Sequence, residues 1–172
     1  MRIETERLVL RPMRAGDFEN YATYLASEHA VFLGGPFPRA AAWGQFCADH
    51  AGWSLTGLGS LMIETAGEAI GQVGINAGPL FPEPELGWML YPGATGKGFA
   101  TEAARGLAGW AKGAGLETLV SGIAPENKAS RRLAERLGAL RDPGAEPPAK
   151  GLEVWRHWGR RGAFSQRPKF TV

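Results

Sequence analysis

Three glycines, Gly93, Gly96 and Gly98, sit where residues 85–112, ELGWMLYPGATGKGFATEAARGLAGWAK, change from a strand pattern to a helix pattern. Pro92 breaks the strand, and the residues beyond the glycines place their apolar side chains on one side of a helix. Between Leu86 and Thr101 there is no Asp or Glu, and Lys97 is the only charged residue. A helix start ordinarily favours acidic side chains, so their absence leaves the amides for an external anion. Glycine lets the backbone bring N–H groups close to such a ligand, and the helix N-terminus adds partial positive charge. The chemistry this stretch could support is the cradling of a phosphate. A glycine-rich turn before a helix is also ordinary turn chemistry, and the local residues alone leave both readings open.

Two familiar phosphate-binding patterns fail here. A P-loop needs Gly, four residues, then Gly-Lys-Ser/Thr, but Tyr91 stands five before Gly96 and Gly98 follows Lys97. The dinucleotide fingerprint Gly-x-Gly-x-x-Gly would end at Thr101. A nucleotide-binding domain of another fold is thereby discounted. His29, His50 and His157 have no spacing suited to a metal site, so no metal is expected and each is read as structural or surface. The lone Cys47 excludes an internal disulfide framework and is expected to be a small buried residue.

The elements that must position the loop follow from periodicity. At 172 residues, 44% hydrophobic and 21% charged, the chain suits one soluble domain over 1–172. Residues 7–13 read as a first strand, and 18–27 and 39–51 as helices. Trp43 and Phe46 are expected in the core, with these early helices covering a substrate pocket. Residues 61–65 and 69–77 form a hairpin, in which Gly71 and Gly74 suggest a bulge or a close backbone approach. Strand 84–91 follows, with Glu85, Gly87, Met89 and Tyr91 on one face and Leu86, Trp88 and Leu90 on the other. Beyond the glycine loop come a helix to Lys112, a strand at 118–123, a short helix opened by Asn127 and ended by Gly138, and a last strand at 152–158. Residues 139–141 read as the beginning of a strand. From about 160 a loose tail carries Arg160, Arg161, Arg167 and Lys169 with no acid. Net charge is only +2, so nucleic acid is not expected as a partner. The N-terminus mixes charges into its apolar residues and no run approaches the ~20 apolar residues of a membrane span. A cytoplasmic protein with no membrane contact is the default expectation.

In this order of elements the chain resembles the GNAT superfamily of N-acetyltransferases, and within it the branch of ribosomal-protein N-terminal acetyltransferases. The resemblance runs from TERLVLRP at Thr5 to the strand near Trp155, and is carried most sharply by EPELGWML, TGKGFATEA and NKASRRLAERLG. It implies an α/β (α+β) fold: a mixed, mostly antiparallel sheet of about seven strands flanked by about four helices, splayed between the fourth and fifth strands. It implies acetyl-CoA as cosubstrate and a primary amine as acceptor, in a monomer or homodimer. The loop amides of Gly96, Lys97, Gly98, Phe99, Ala100 and Thr101 would hold the diphosphate. Gly98 and Ala100 match the family's small positions, whereas Thr95 replaces its Gln or Arg. The pantetheine arm would lie between strands 85–91 and 118–123, on main-chain groups of Met89, Leu90 and Tyr91, with Asn127 assisting.

For the chemistry, many relatives protonate the departing thiolate from a Tyr seven residues after the Asn, where this chain has Ala134. Ser130 matches a serine of the ribosomal-protein branch and is expected to hydrogen-bond the leaving sulfur. Glu85 is the expected base, with Glu102 assigned instead to the helix dipole. Lys128, Arg131, Arg132 and Arg136 are either near the ribose phosphate or a solvated helix face. The alternative reading, favoured by Ala134 and Thr95, is a catalytically silent acyl-CoA-binding sensor or recruitment module.

Overall fold

The computed structural model describes residues 1–160. The basic tail beyond Arg160 lies outside the described residues. Among the described residues eight strands form one sheet: β1 (Ile3–Glu4), β2 (Val9–Pro12), β3 (Ser60–Thr65), β4 (Glu68–Asn76), β5 (Glu85–Leu90), β6 (Leu119–Ile123), β7 (Leu140–Arg141) and β8 (Glu153–Trp158). Four helices accompany them: α1 (Phe18–Leu25), α2 (Arg39–Thr56), α3 (Phe99–Gly113) and α4 (Lys128–Arg136). The sheet order is β1-β2-β3-β4-β5-β6-β8-β7. Its architecture is the expected one, with the two-residue β1 added at one edge. That extra strand shifts the expected splay to β5 and β6. They run parallel and share a single register pair, Glu85↔Val120.

The hairpin β3–β4 turns at Ala66 and Gly67, both with positive φ, as a two-residue primed turn requires. Both strand glycines are there for space. A Cβ on Gly71 would come within 2.3 Å of the Met89 carbonyl, and one on Gly74 within 2.1 Å of the Ser60 hydroxyl. The expected bulge falls beside Gly71, between Ile63 and Glu64 of the partner strand.

Alternation along the strands divides the core. Leu10, Ile63, Val73, Ile75 and Leu86 pack on Ala103, Ala104, Leu107 and Ala111 of α3. On the opposite face Met62, Met89 and Tyr91 meet Phe18, Tyr21 and Leu25 of α1 and Ala42 and Phe46 of α2. Two expectations fail on α2. Cys47 is exposed, because the buried stripe of this helix is Ala42 and Phe46 and Cys47 follows one residue later, off that face. Trp43 is 47% exposed and lies edge-on to Phe18 at 4.8 Å, a lid on the aromatic cluster rather than a member of the core. The helix also runs five residues past its expected end, to a left-handed cap at Gly57.

The foot of the splay is fastened by an ionic network. Arg156 of β8 donates to both Glu83 oxygens at 2.7 Å, to Asp142 at 2.7 Å and to the Thr118 hydroxyl at 2.9 Å. Glu83 is buried. Burial alone would raise its pKa, but the Arg156 and Thr118 hydrogen bonds outweigh this and hold the carboxyl below its usual range. The Val120 N–H then reaches the Pro84 carbonyl at 3.0 Å. This fixes the chain immediately before Glu85.

Candidate active site

The glycine loop is built to present amides. After Tyr91 gives its N–H to Ile70 O, Ala94 closes a turn on the Tyr91 carbonyl. Gly93, Gly96 and Gly98 all take φ between +78° and +87°, where a side chain would be strained. Gly98 caps α3, and the first intrahelical donor is Glu102 N–H, to Gly98 O at 3.1 Å. The N–H groups of Phe99, Ala100 and Thr101 precede it and have no acceptor within the helix.

Glu102 stands in the first turn of α3 without competing for those amides. Its carboxylate turns to the N-terminal segment, accepting from Thr5 Oγ1 (2.7 Å), Arg7 N (2.8 Å) and Arg7 Nε (2.7 Å). Arg7 also donates to the Lys97 carbonyl at 3.0 Å and lies 4.8 Å over the Phe99 ring. The Thr-Glu-Arg segment is therefore a brace on the back of the loop, a role its motif alone did not reveal. Burial tends to raise the Glu102 pKa, but the Thr5 and Arg7 hydrogen bonds prevail and lower it. Glu102→Gln is expected to cost roughly 1–2 kcal/mol in urea unfolding at neutral pH. The difference should shrink as pH falls through the carboxylate range, since the stabilised form is the ionised one.

The gap opens where β5 and β6 part. The Ser121 hydroxyl donates to Leu86 O at 2.7 Å and faces His157 Nε2 at 2.9 Å. Its only proton is spent on Leu86, so the facing imidazole nitrogen is the N–H. Burial lowers the His157 pKa to about 4, leaving the ring neutral. Beyond this tie β6 has no further register with β5.

Pleat alternation decides which β5 groups face the opening. Tyr91 N–H is bonded to β4 through Ile70 O, and Met89, on the same side of the chain, pairs with Gln72. The N–H and C=O groups of Trp88 and Leu90 point the other way, into the gap. Of the three main-chain positions expected to line it, Leu90 does. Met89 and Tyr91 are turned to the ladder, and Trp88 takes their place.

Glu85 stands at the foot of this opening. Its Oε1 accepts from Gly122 N–H of β6 at 2.9 Å. Burial pushes its carboxyl up to about 7, against partial opposition from that N–H. Gly122 gives Glu85 room, since a Cβ there would lie 2.5 Å from Pro148 Cγ and 2.7 Å from Glu85 Oε1. On the α4 side, Asn127 Oδ1 caps the helix through Ser130 N–H at 3.1 Å. That oxygen is committed to the cap. The Ser130 hydroxyl accepts from the Trp88 indole at 3.3 Å, which leaves its own proton available. Ala134 is fully buried. Arg131 is spent on the Pro125 carbonyl (3.1 Å) and lies 3.8 Å from Glu153, while Lys128, Arg132 and Arg136 are exposed.

A separate cleft of about 680 Å³ lies on the α1 side of the loop, lined among others by Tyr24, Tyr91, Lys97 and Phe99. Glu85, Asn127 and Ser130 do not line it. Among the described residues no cluster of His, Cys, Asp or Glu could hold a metal ion, and no helix is long and apolar enough to cross a membrane.

Residues 7–140 match the acetyltransferase (GNAT) domain family. The crystal structure of an acetyltransferase from Agrobacterium tumefaciens is 46% identical, covers 91% of this chain and 93% of its own, and superposes with a TM-score of 0.88. A GNAT-family acetyltransferase from Bacillus anthracis, 20% identical over 91% of this chain and 95% of that one, has a TM-score of 0.72. The coenzyme A complex of RimL, a ribosomal L7/L12 alpha-N-protein acetyltransferase, shares the fold at 15% identity, with a TM-score of 0.73 over 91% and 95% of the two chains. A loop of free amides, a parted sheet and these matches converge on one assignment: the chain belongs to the acetyltransferase (GNAT) family and is an acetyl-CoA-dependent acyltransferase.

Proposed function

We propose that this chain moves the acetyl group of acetyl-CoA onto a primary amine, a protein N-terminus or a small-molecule amine, by direct attack in a ternary complex. The observation that carries the reading is Glu85, a carboxyl with its pKa raised to about 7 at the point where β5 and β6 part. The loop amides from Gly96 to Thr101 would hold the diphosphate, and the main chain of Trp88 and Leu90 the pantetheine. The bound cosubstrate supplies an activated thioester carbonyl. The amine nitrogen forms its bond to that carbon as the C–S bond breaks. Glu85 takes the proton the amine must lose. Ser130, already oriented by the Trp88 N–H, donates a hydrogen bond to the departing sulfur.

Release of free CoA thiol over a panel of amines tests the reading. Acetyl-CoA binding without thiol release on any amine would favour the silent binding module instead. Ser130→Ala is expected to lower kcat roughly tenfold, the worth of one hydrogen bond to a charge-bearing atom, with little change in acetyl-CoA affinity. An undiminished kcat in stopped-time thiol assays would remove Ser130 from the mechanism.

A further inference from the structure

On the α1/α2 face of the sheet, the half-buried carboxylate of Asp49 has no cation beside it among the described residues. Asp49 of α2 accepts from Tyr21 OH and from Gln72 Nε2, each at 2.9 Å. Both donors are neutral, and both go to the same oxygen, Oδ2. Oδ1 receives neither, and no cationic group contributes to the surroundings of Asp49, whose pKa is raised by burial. A half-buried carboxylate held only by neutral donors is costlier to ionise than one in water, and a cation entering beside it recovers part of that cost.

The sheet shows where such a cation would lie. Gln72, under Asp49, pairs with Met89, and four residues along the same strand Asn76 pairs with Glu85. Between these two rows the same face carries Gly74, covered by the Ser60 hydroxyl, paired with Gly87. A Cβ on Gly87 would meet no atom within 4 Å, so the face is open over this residue of β5, which lies between the two rows. At about 3.3 Å per residue the Gln72–Met89 row beneath Asp49 and the Asn76–Glu85 row are roughly 13 Å apart along the strand. Hydrogen bonding within the fold does not explain that arrangement, since an amide at residue 49 would accept the same two bonds.

Building on the acyl-transfer reading above, we infer that the acceptor is a dication: its reacting amine lies at Glu85 and a second ammonium, roughly 10–13 Å away, pairs with Asp49, the chain between them passing over Gly87. Linear di- and polyamines have this chemistry. Asp49 would then set acceptor choice without touching the reacting atoms.

Diaminooctane, octylamine and diaminopropane separate the possibilities, since only the first carries two charges at the required span. Turnover and calorimetric titration onto the CoA-saturated protein are both measured, so that binding is read even without thiol release. The expected result is roughly tenfold tighter binding and lower KM for diaminooctane than for octylamine, with diaminopropane no better than the monoamine. In Asp49→Asn, checked for folding by its thermal shift with CoA, the ratio of diaminooctane to octylamine should fall to near one. Equal behaviour of mono- and diamine in the wild type, or an unchanged ratio in Asp49→Asn, overturns the inference. If the variant does not fold, the wild-type comparison of the three amines decides. Failure of CoA itself to bind would instead overturn the acyl-transfer reading.

Discussion

Gly98→Asp is expected to weaken CoA binding on the order of a hundredfold, about 3 kcal/mol, with the fold retained. Gly98 occupies the left-handed region at φ +79° and caps α3. A side chain there carries strain of roughly 1–2 kcal/mol, and Asp is among the residues that tolerate this conformation best. Space is not the obstacle, because the nearest atom to an added Cβ is the flexible end of Arg7 at 3.4 Å. The electrostatics are. An Asp carboxylate at this position would itself take the free amides of the first turn and would place a negative charge where a diphosphate must sit. Gly98→Ala separates the two effects: it keeps the strain without the charge and should lose only a fewfold in affinity. Calorimetry with CoA on all three proteins reads both. Binding by Gly98→Asp at wild-type strength would mean that the loop does not hold the diphosphate.

The brace behind this loop also explains why part of the site could be read from the chain and part could not. The strand, glycine loop and helix of residues 85–112 are local, so period, breakers and missing acids announce them. Their supports are not local. Glu102 lies 95 residues from the Arg7 it holds, and Glu83 lies 73 residues from Arg156. In a sequence these are single charges among many, and only the fold makes them partners. The direction of the β5 main chain is hidden for a related reason. Side-chain alternation gives the faces of a strand, but whether Met89 or Trp88 turns its amide to the gap depends on which neighbour each pairs with. Cys47 and Trp43 fall outside the core because α2 buries a narrow stripe, whereas composition suggests a broad one. Asp49 gave no signal at all. It is an acid in an unremarkable helix until Gln72 and Tyr21 are seen beneath it.

Glu85→Gln should move rate and stability in opposite directions. Glutamine keeps the acceptor oxygen for the Gly122 N–H, so the junction of β5 and β6 is preserved while the base is lost. A positioned general base contributes typically 10²–10⁴-fold, and kcat is expected to fall by at least about a hundredfold. The pH profile identifies the group. With its pKa at about 7 in the fold, the wild-type kcat/KM, corrected for the fraction of neutral amine, should rise through pH 7 to a plateau. That limb should be missing in the variant. Stability carries the reverse sign. The ordinary carboxyl value is 4.5, so the fold favours the protonated form. This contribution is complete below about pH 4.5 and is lost as pH rises through about 7. Above pH 8 the wild type bears an ionised, half-buried Glu85, and the variant does not. Urea unfolding there should find Glu85→Gln more stable by about 1–3 kcal/mol, with the difference vanishing in acid. A carboxyl kept only for structure would lose stability on substitution and leave the pH limb in place. The catalytic reading requires a faster wild type that is also the less stable protein at the pH where it works.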